Sequence, residues 1–232
     1  MAIIVSIVQS KLLIILLTIA CIISFFWYYE FRKPLGMNCI SIILVILYQM
    51  VVGVICTVLF AKFEEFISPT HVPSNLRLYG PIFFMWFFNL ILSIAIRRDY
   101  KVILDLYTPG LILSLILGRL NCFRAGCCIG KIIPGTEIRY PIREAELVFE
   151  IIMLIIVVSQ CGKKKFDGSL YPLYAMSYGI FRFIIEFFRI KENTLFGIQI
   201  PHIWSIIAIV AGAFFYYSLR NNPNPIKSSK RS

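Results

Sequence analysis

The stretch LYPLYAMSYGIFRFIIEFFRI, residues 170–190, is apolar enough to enter a bilayer, yet it carries Arg182, Glu186 and Arg189 among its phenylalanines and isoleucines. Its length suits the roughly 30 Å of hydrocarbon that about 20 helical residues cover. Tyr174, Tyr178, Arg182, Glu186 and Arg189 follow one another at steps of four, four, four and three, which puts all five on one stripe of a helix. An ionisable side chain in a membrane span costs roughly 2.5–3.5 kcal/mol on insertion scales, so each invites a partner and a purpose. One reading is an Arg182–Glu186 pair that holds a helix bundle together, with the tyrosines as interfacial anchors. The other is the polar wall of a cavity filled by water or lipid headgroups. A structural pair needs no second arginine in register, and Arg189 favours the cavity.

The rest of the chain has the same character. Of 232 residues, 59% are hydrophobic, and the mean hydropathy is +0.83, more apolar surface than a soluble core absorbs. Apolar runs predict seven membrane helices at about 11–29, 38–60, 78–96, 102–119, 144–160, 169–189 and 200–219, separated by segments rich in charge or helix breakers. The expected class is all-α, a polytopic membrane protein of about seven transmembrane helices: one integral membrane domain over 1–220 and a basic cytoplasmic tail over 221–232. The run KLLIILLTIAC ending at Cys21 looks like a signal peptide, but the apolar stretch continues through IISFFWYY, which favours an uncleaved first span.

A net charge of +11 raises the possibility of a nucleic-acid partner, but its distribution points instead to membrane topology. Arg32 and Lys33, Arg97, Arg98 and Lys101, the run Lys163 to Lys165, and Arg220, Lys227, Lys230 and Arg231 put twelve positive charges on one side, in short connections beside helix ends, against nine on the other. The positive-inside bias then gives N-terminus out and C-terminus in. The arginine-rich segment 118–143 faces outward.

That segment opens GRLNCFRAGCCIGK, residues 118–131. Its glycines suit close backbone approach, and its guanidinium forks suit phosphate. An anionic headgroup at the outer face is the natural ligand. In RYPIREAELVFE, residues 139–150, Pro141 opens a helix on which Glu146 and Glu150 share a face, with Arg139 and Arg143 close by. Glu146 is the stronger functional candidate, and Glu150 reads as a paired or solvated residue. The fourth span begins near Asp105, carries Pro109 one turn later, and ends at Arg119. Seven cysteines form no C-x-x-C motif. Cys122, Cys127 and Cys128 lie on the expected outer side, where a loop-stapling disulfide from Cys122 to Cys127 or Cys128 is permitted. A soft-metal site on these thiols is the lesser alternative, because their spacing is irregular and His71 and His202 are far off in sequence.

Taken in order, these segments resemble the phosphatidylglycerol–prolipoprotein diacylglyceryl transferase family. Its signature GRxGNFxNGExxG is matched at Gly118, Arg119, Phe123, Gly126 and Gly130; its RHPSQLYE-type element at Arg139, Pro141 and Glu146; and its YGxxRFxxEFFR element at residues 178–189. Asp105 and Pro109 fit the pattern before the signature. Tyr79 stands where the family's HGG element has histidine, and Cys122, Ala125 and Cys127 replace the signature's two asparagines and its glutamate. The chain thus resembles a divergent branch with a GCC segment.

The resemblance implies a multi-pass protein of the bacterial cytoplasmic (inner) membrane that moves a diacylglyceryl group from phosphatidylglycerol to a prolipoprotein lipobox cysteine. Its partners would be phosphatidylglycerol, the lipobox peptide and membrane lipids, with no nucleic acid, no cofactor and no metal. Arg119 and Arg182, with Arg139 next, would stabilise the departing phosphate, and the thiolate would form through Tyr79 or Glu146 as base or through the arginine field alone. Arg139, Glu186, Arg189, Tyr178, Cys122 and Cys127 would bind substrate. The alternatives are a lipid-binding or transport protein, or a transferase with another acceptor, on the same fold.

Overall fold

A computed structural model describes residues 2–30, 36–67, 79–126, 129–161, 168–190, 194–195 and 198–221. Seven helices occupy them, close to the expected positions: α1 (Ala2–Glu30), α2 (Cys39–Ile67), α3 (Tyr79–Ile96), α4 (Tyr100–Ala125), α5 (Ile142–Cys161), α6 (Leu170–Glu186) and α7 (Ile200–Asn221). The basic tail beyond Asn221 lies outside the described residues. By length and composition α2, α3, α7 and Tyr100–Leu120 of α4 can each cross a membrane. Side chains such as Ile40, Leu44, Phe66, Val210, Phe214 and Tyr217 point outward and exposed, as a lipid-facing surface requires. The chain is an all-α polytopic membrane protein.

Four helix boundaries differ from the sequence expectation by three residues or more, the first being α1, which begins at Ala2 rather than near residue 11. Helix α2 runs to Ile67 and α4 to Ala125, where Gly126 ends it in the left-handed conformation at φ 65°. Helix α6 stops at Glu186, so Arg189 is not on its stripe. After a turn, Arg189 instead bridges backbone-to-backbone with Gly130. Two two-residue strands, β1 (Thr194–Leu195) and β2 (Ile198–Gln199), then pair antiparallel before α7.

The helices alternate in direction, and contacts between their connections show it. At one end, Arg98 Nη2 donates to the Gly36 carbonyl at 2.6 Å and Lys101 Nζ to the Leu219 carbonyl at 2.6 Å. At the other, Lys131 N donates to the Phe188 carbonyl at 2.8 Å, and Lys131 Nζ donates to that of Phe187 at 2.7 Å. Asp105, buried in α4, accepts from Gly168 N at 2.9 Å and Leu170 N at 3.0 Å. It thereby caps α6 from a neighbouring helix, meeting amides that a helix N-terminus leaves unsatisfied. Between α1, α2 and α3, Tyr28 Oη donates to Gln49 Oε1 at 3.0 Å, and Gln49 Nε2 to Asn89 Oδ1 at 2.9 Å. Such side-chain bonds hold membrane helices together where lipid removes the hydrophobic driving force.

Gly80 is where α3 meets α2 backbone to backbone. A Cβ there would sit 2.6 Å from the Cys56 carbonyl carbon, whereas one at Gly53, also in α2, would meet nothing within 4 Å. Gly80→Ala is expected to destabilise the bundle by about 1–3 kcal/mol through overpacking. Gly53→Ala should leave stability unchanged or raise it by up to about 1 kcal/mol. Thermal unfolding of the two variants in detergent measures both.

Candidate active site

The ends of two helices and the starts of three converge at the end of the bundle that holds Lys131. Arg119 is in the last turns of α4, and Arg182 and Glu186 close α6. Glu146 lies near the start of α5, Tyr79 opens α3, and Ser205 is in the second turn of α7. Arg119 and Glu146 each occupy the helix end whose dipole favours their charge.

Glu146 is the hub. Arg119 Nη1 lies 2.9 Å from its Oε2, Arg182 Nη1 donates to its Oε1, and Arg189 Nη1 stands 4.0 Å from the same oxygen. Glu186 Oε2 is 3.1 Å from Arg182 Nη2 and 3.8 Å from Arg189 Nη1. All five residues are no more than 6% exposed. These pairs involve three guanidinium groups and two carboxylates, which leaves one surplus positive charge. One turn deeper, buried Glu150 accepts from Tyr174 Oη at 2.8 Å. Arg182 and Glu186 do pair, within a cluster that joins α4, α5, α6 and the segment after α6.

An aromatic wall flanks the cluster. Tyr79 meets Tyr178 edge to face at 5.7 Å, and Tyr178 lies 6.0 Å from Tyr174. Tyr79 Oη shares a hydrogen bond with Ser205 Oγ at 2.9 Å and donates to the Pro201 carbonyl at 3.4 Å. The phenol therefore stands at the site, fixed by α7. Neither Ser205 nor His202, on the same face of α7, was singled out from the sequence. The signal available was a pair of polar residues three apart in the apolar run IPHIWSII.

Other candidates lie apart. Arg139 is exposed, donates to the Gly130 carbonyl at 3.2 Å, and lines a shallow cavity of about 140 Å³ with Tyr140, Arg143 and Glu144. The structure does not bring it into the buried cluster. Arg143 stacks over the Phe123 ring at 5.2 Å. Cys122 is half-buried near the end of α4. Cys127 and Cys128, and so the disulfide and metal readings, fall outside the described residues.

Removing the hub's charge leaves three arginines without their shared carboxylate. Glu146→Gln is expected to cost about 3–5 kcal/mol, as breaking a buried pair does. The exposed neighbour Glu144→Gln should stay within about 0.5 kcal/mol of the parent. Denaturation of both variants in detergent decides it.

The family model for prolipoprotein diacylglyceryl transferase matches residues 8–218. A phosphatidylglycerol–prolipoprotein diacylglyceryl transferase of Dehalococcoides mccartyi is 28% identical over 134 residues, 51% of this chain and 52% of the relative. The enzyme of that name from Clostridium tetani is 26% identical over 133 residues, 51% and 53% of the two chains. The one from Campylobacter hominis is 29% identical over 138 residues, 54% and 50%. The chain spans about half the length of the curated relatives it matches. With the family model covering nearly its whole length, the chain belongs to the prolipoprotein diacylglyceryl transferase family.

Proposed function

We propose that this protein transfers a diacylglyceryl group from phosphatidylglycerol to the lipobox cysteine thiol of a prolipoprotein, at the outer face of the bacterial cytoplasmic membrane. The observation that carries the reading is the buried cluster of Arg119, Arg182 and Arg189 around Glu146 and Glu186, one positive charge in surplus. A phosphodiester headgroup carries one negative charge, so it matches that surplus. Planar guanidinium forks, fixed beforehand by buried carboxylates, suit a developing phosphate charge in a water-poor site.

In this reading Arg119 and Arg182 contact the departing phosphate. Glu146 and Glu186 position the arginines, while Arg189 adds field from the far side. Tyr178 and Tyr79 form the wall against which lipid and peptide are held, and proximity converts a two-substrate encounter into a local step. Arg139, outside the buried cluster, guides the anionic headgroup in from the surface.

The reading is tested by mass spectrometry of a lipobox peptide incubated with the protein and phosphatidylglycerol. The expected product is a diacylglyceryl thioether. Arg119→Ala should abolish it, and Arg182→Lys, which keeps the charge but loses the fork, should slow it roughly 10²–10³-fold. An inactive but folded parent would favour the lipid-binding or transport alternative. Orientation has its own check: a fluorescent protein fused after Ser232 should fluoresce in the cytoplasm, and alkaline phosphatase fused there should be inactive.

A further inference from the structure

The transfer needs a group to accept the thiol proton, and those already named are engaged. Both oxygens of Glu146 face arginines, and Tyr79 Oη is held by Ser205 and Pro201. Helix α7 brings another group to the same end. His202 stands three residues before Ser205, on the same face of the helix. It is 8% exposed, and its Nε2 has no hydrogen-bond partner among the described residues. Phe183 of α6 and Phe187, the residue that follows it, fix the ring edge-on, at 5.0 Å and 88° and at 4.6 Å and 68°. The charges whose fields reach the imidazole are Glu186 and Arg182 from α6 and Lys131 from the connection between α4 and α5. From α3, Tyr79 meets the same face of α7 at Ser205.

A histidine serving only as packing would leave a buried ring nitrogen unpaired, which costs free energy that an apolar residue would not. In the tautomer protonated at Nδ1, Nε2 offers a lone pair. We propose that His202 is a catalytic base of this enzyme, and that its Nε2 accepts the proton of the acceptor thiol beside the arginine cluster. The assignment rests on the transferase reading above. As the proton passes to Nε2, sulfur forms its bond to the glyceryl carbon. The bond from that carbon to the phosphate oxygen breaks, and its electron pair leaves with glycerol phosphate. The imidazolium then returns its proton to water.

The test uses the full chain in detergent with phosphatidylglycerol and a lipobox peptide, comparing the parent with His202→Gln and His202→Phe across pH. Both variants should fold. At pH 7, His202→Gln should lower kcat roughly 10²–10⁴-fold, the usual worth of a general base, with KM for the peptide unchanged. That deficit should shrink toward pH 9, where a peptide thiol with pKa about 8.5 ionises by itself, and added imidazole should partly restore turnover in His202→Gln. Wild-type kcat in His202→Gln at pH 7, or a deficit equal at pH 7 and pH 9 and untouched by imidazole, overturns the assignment while leaving the transferase reading intact. A folded parent that forms no adduct overturns both.

Discussion

The carboxylate of Glu146 is shared between Arg119 of α4 and Arg182 of α6, with Arg189 at the edge of the same field. Buried charges are costly to remove from water, and a single buried pair often does no better than apolar packing. Here the cost is met by geometry: one acceptor answers several donors that arrive from separate helices. Because those donors sit at helix ends, the cluster also fixes where α4, α5 and α6 terminate relative to one another. The fold and the candidate chemistry therefore depend on the same contact. A change that loosens it disturbs both.

The remaining constraints keep that contact in place. Asp105 caps α6 from α4 at the opposite end of the bundle, so the axial position of Arg182 and Glu186 against Arg119 is set from both ends of the helix. Helices α6 and α7 approach closely at Gly179, where a Cβ would lie 2.9 Å from the Ser205 carbonyl. This seats the face of α7 that carries His202 and Ser205 against the polar side of α6. Close packing through small residues is the usual means of joining membrane helices.

Much of this was legible in the sequence because charge in an apolar helix is conspicuous. Arg182 and Glu186, four apart, offered a pair as one of two readings, and Glu146 stood out on the face it shares with Glu150. What could not be read was which charges meet across helices. Arg189 looked like the next step of a helical stripe, but the helix ends at Glu186 and the arginine reaches the cluster from a turn. Arg139 matched a family element yet lies at the surface, donating to the Gly130 carbonyl, because the connection between α4 and α5 folds back on itself. His202 and Ser205 are ordinary residues in an apolar run, and only the packing of α7 on α6 and α3 gives them neighbours. Period and composition report on one helix at a time.

The charge balance of the site links these residues to a direction of reaction. On the transferase reading, a phosphodiester brings one negative charge to a cluster with one surplus positive charge. Cleavage turns the diester into a monoester, which carries about −1.5 to −2 at neutral pH, so the anion soon exceeds what the arginines balance. A proton received by His202 supplies the compensating positive charge as the second negative charge develops, and the site keeps its total through the step. Once the imidazolium gives its proton to water, that compensation is gone. The monoester is then left in excess against Glu146 and Glu186, and like-charge repulsion in a low-dielectric setting favours its departure. Proton loss and product release are thereby coupled through the same buried charges that hold the helices together.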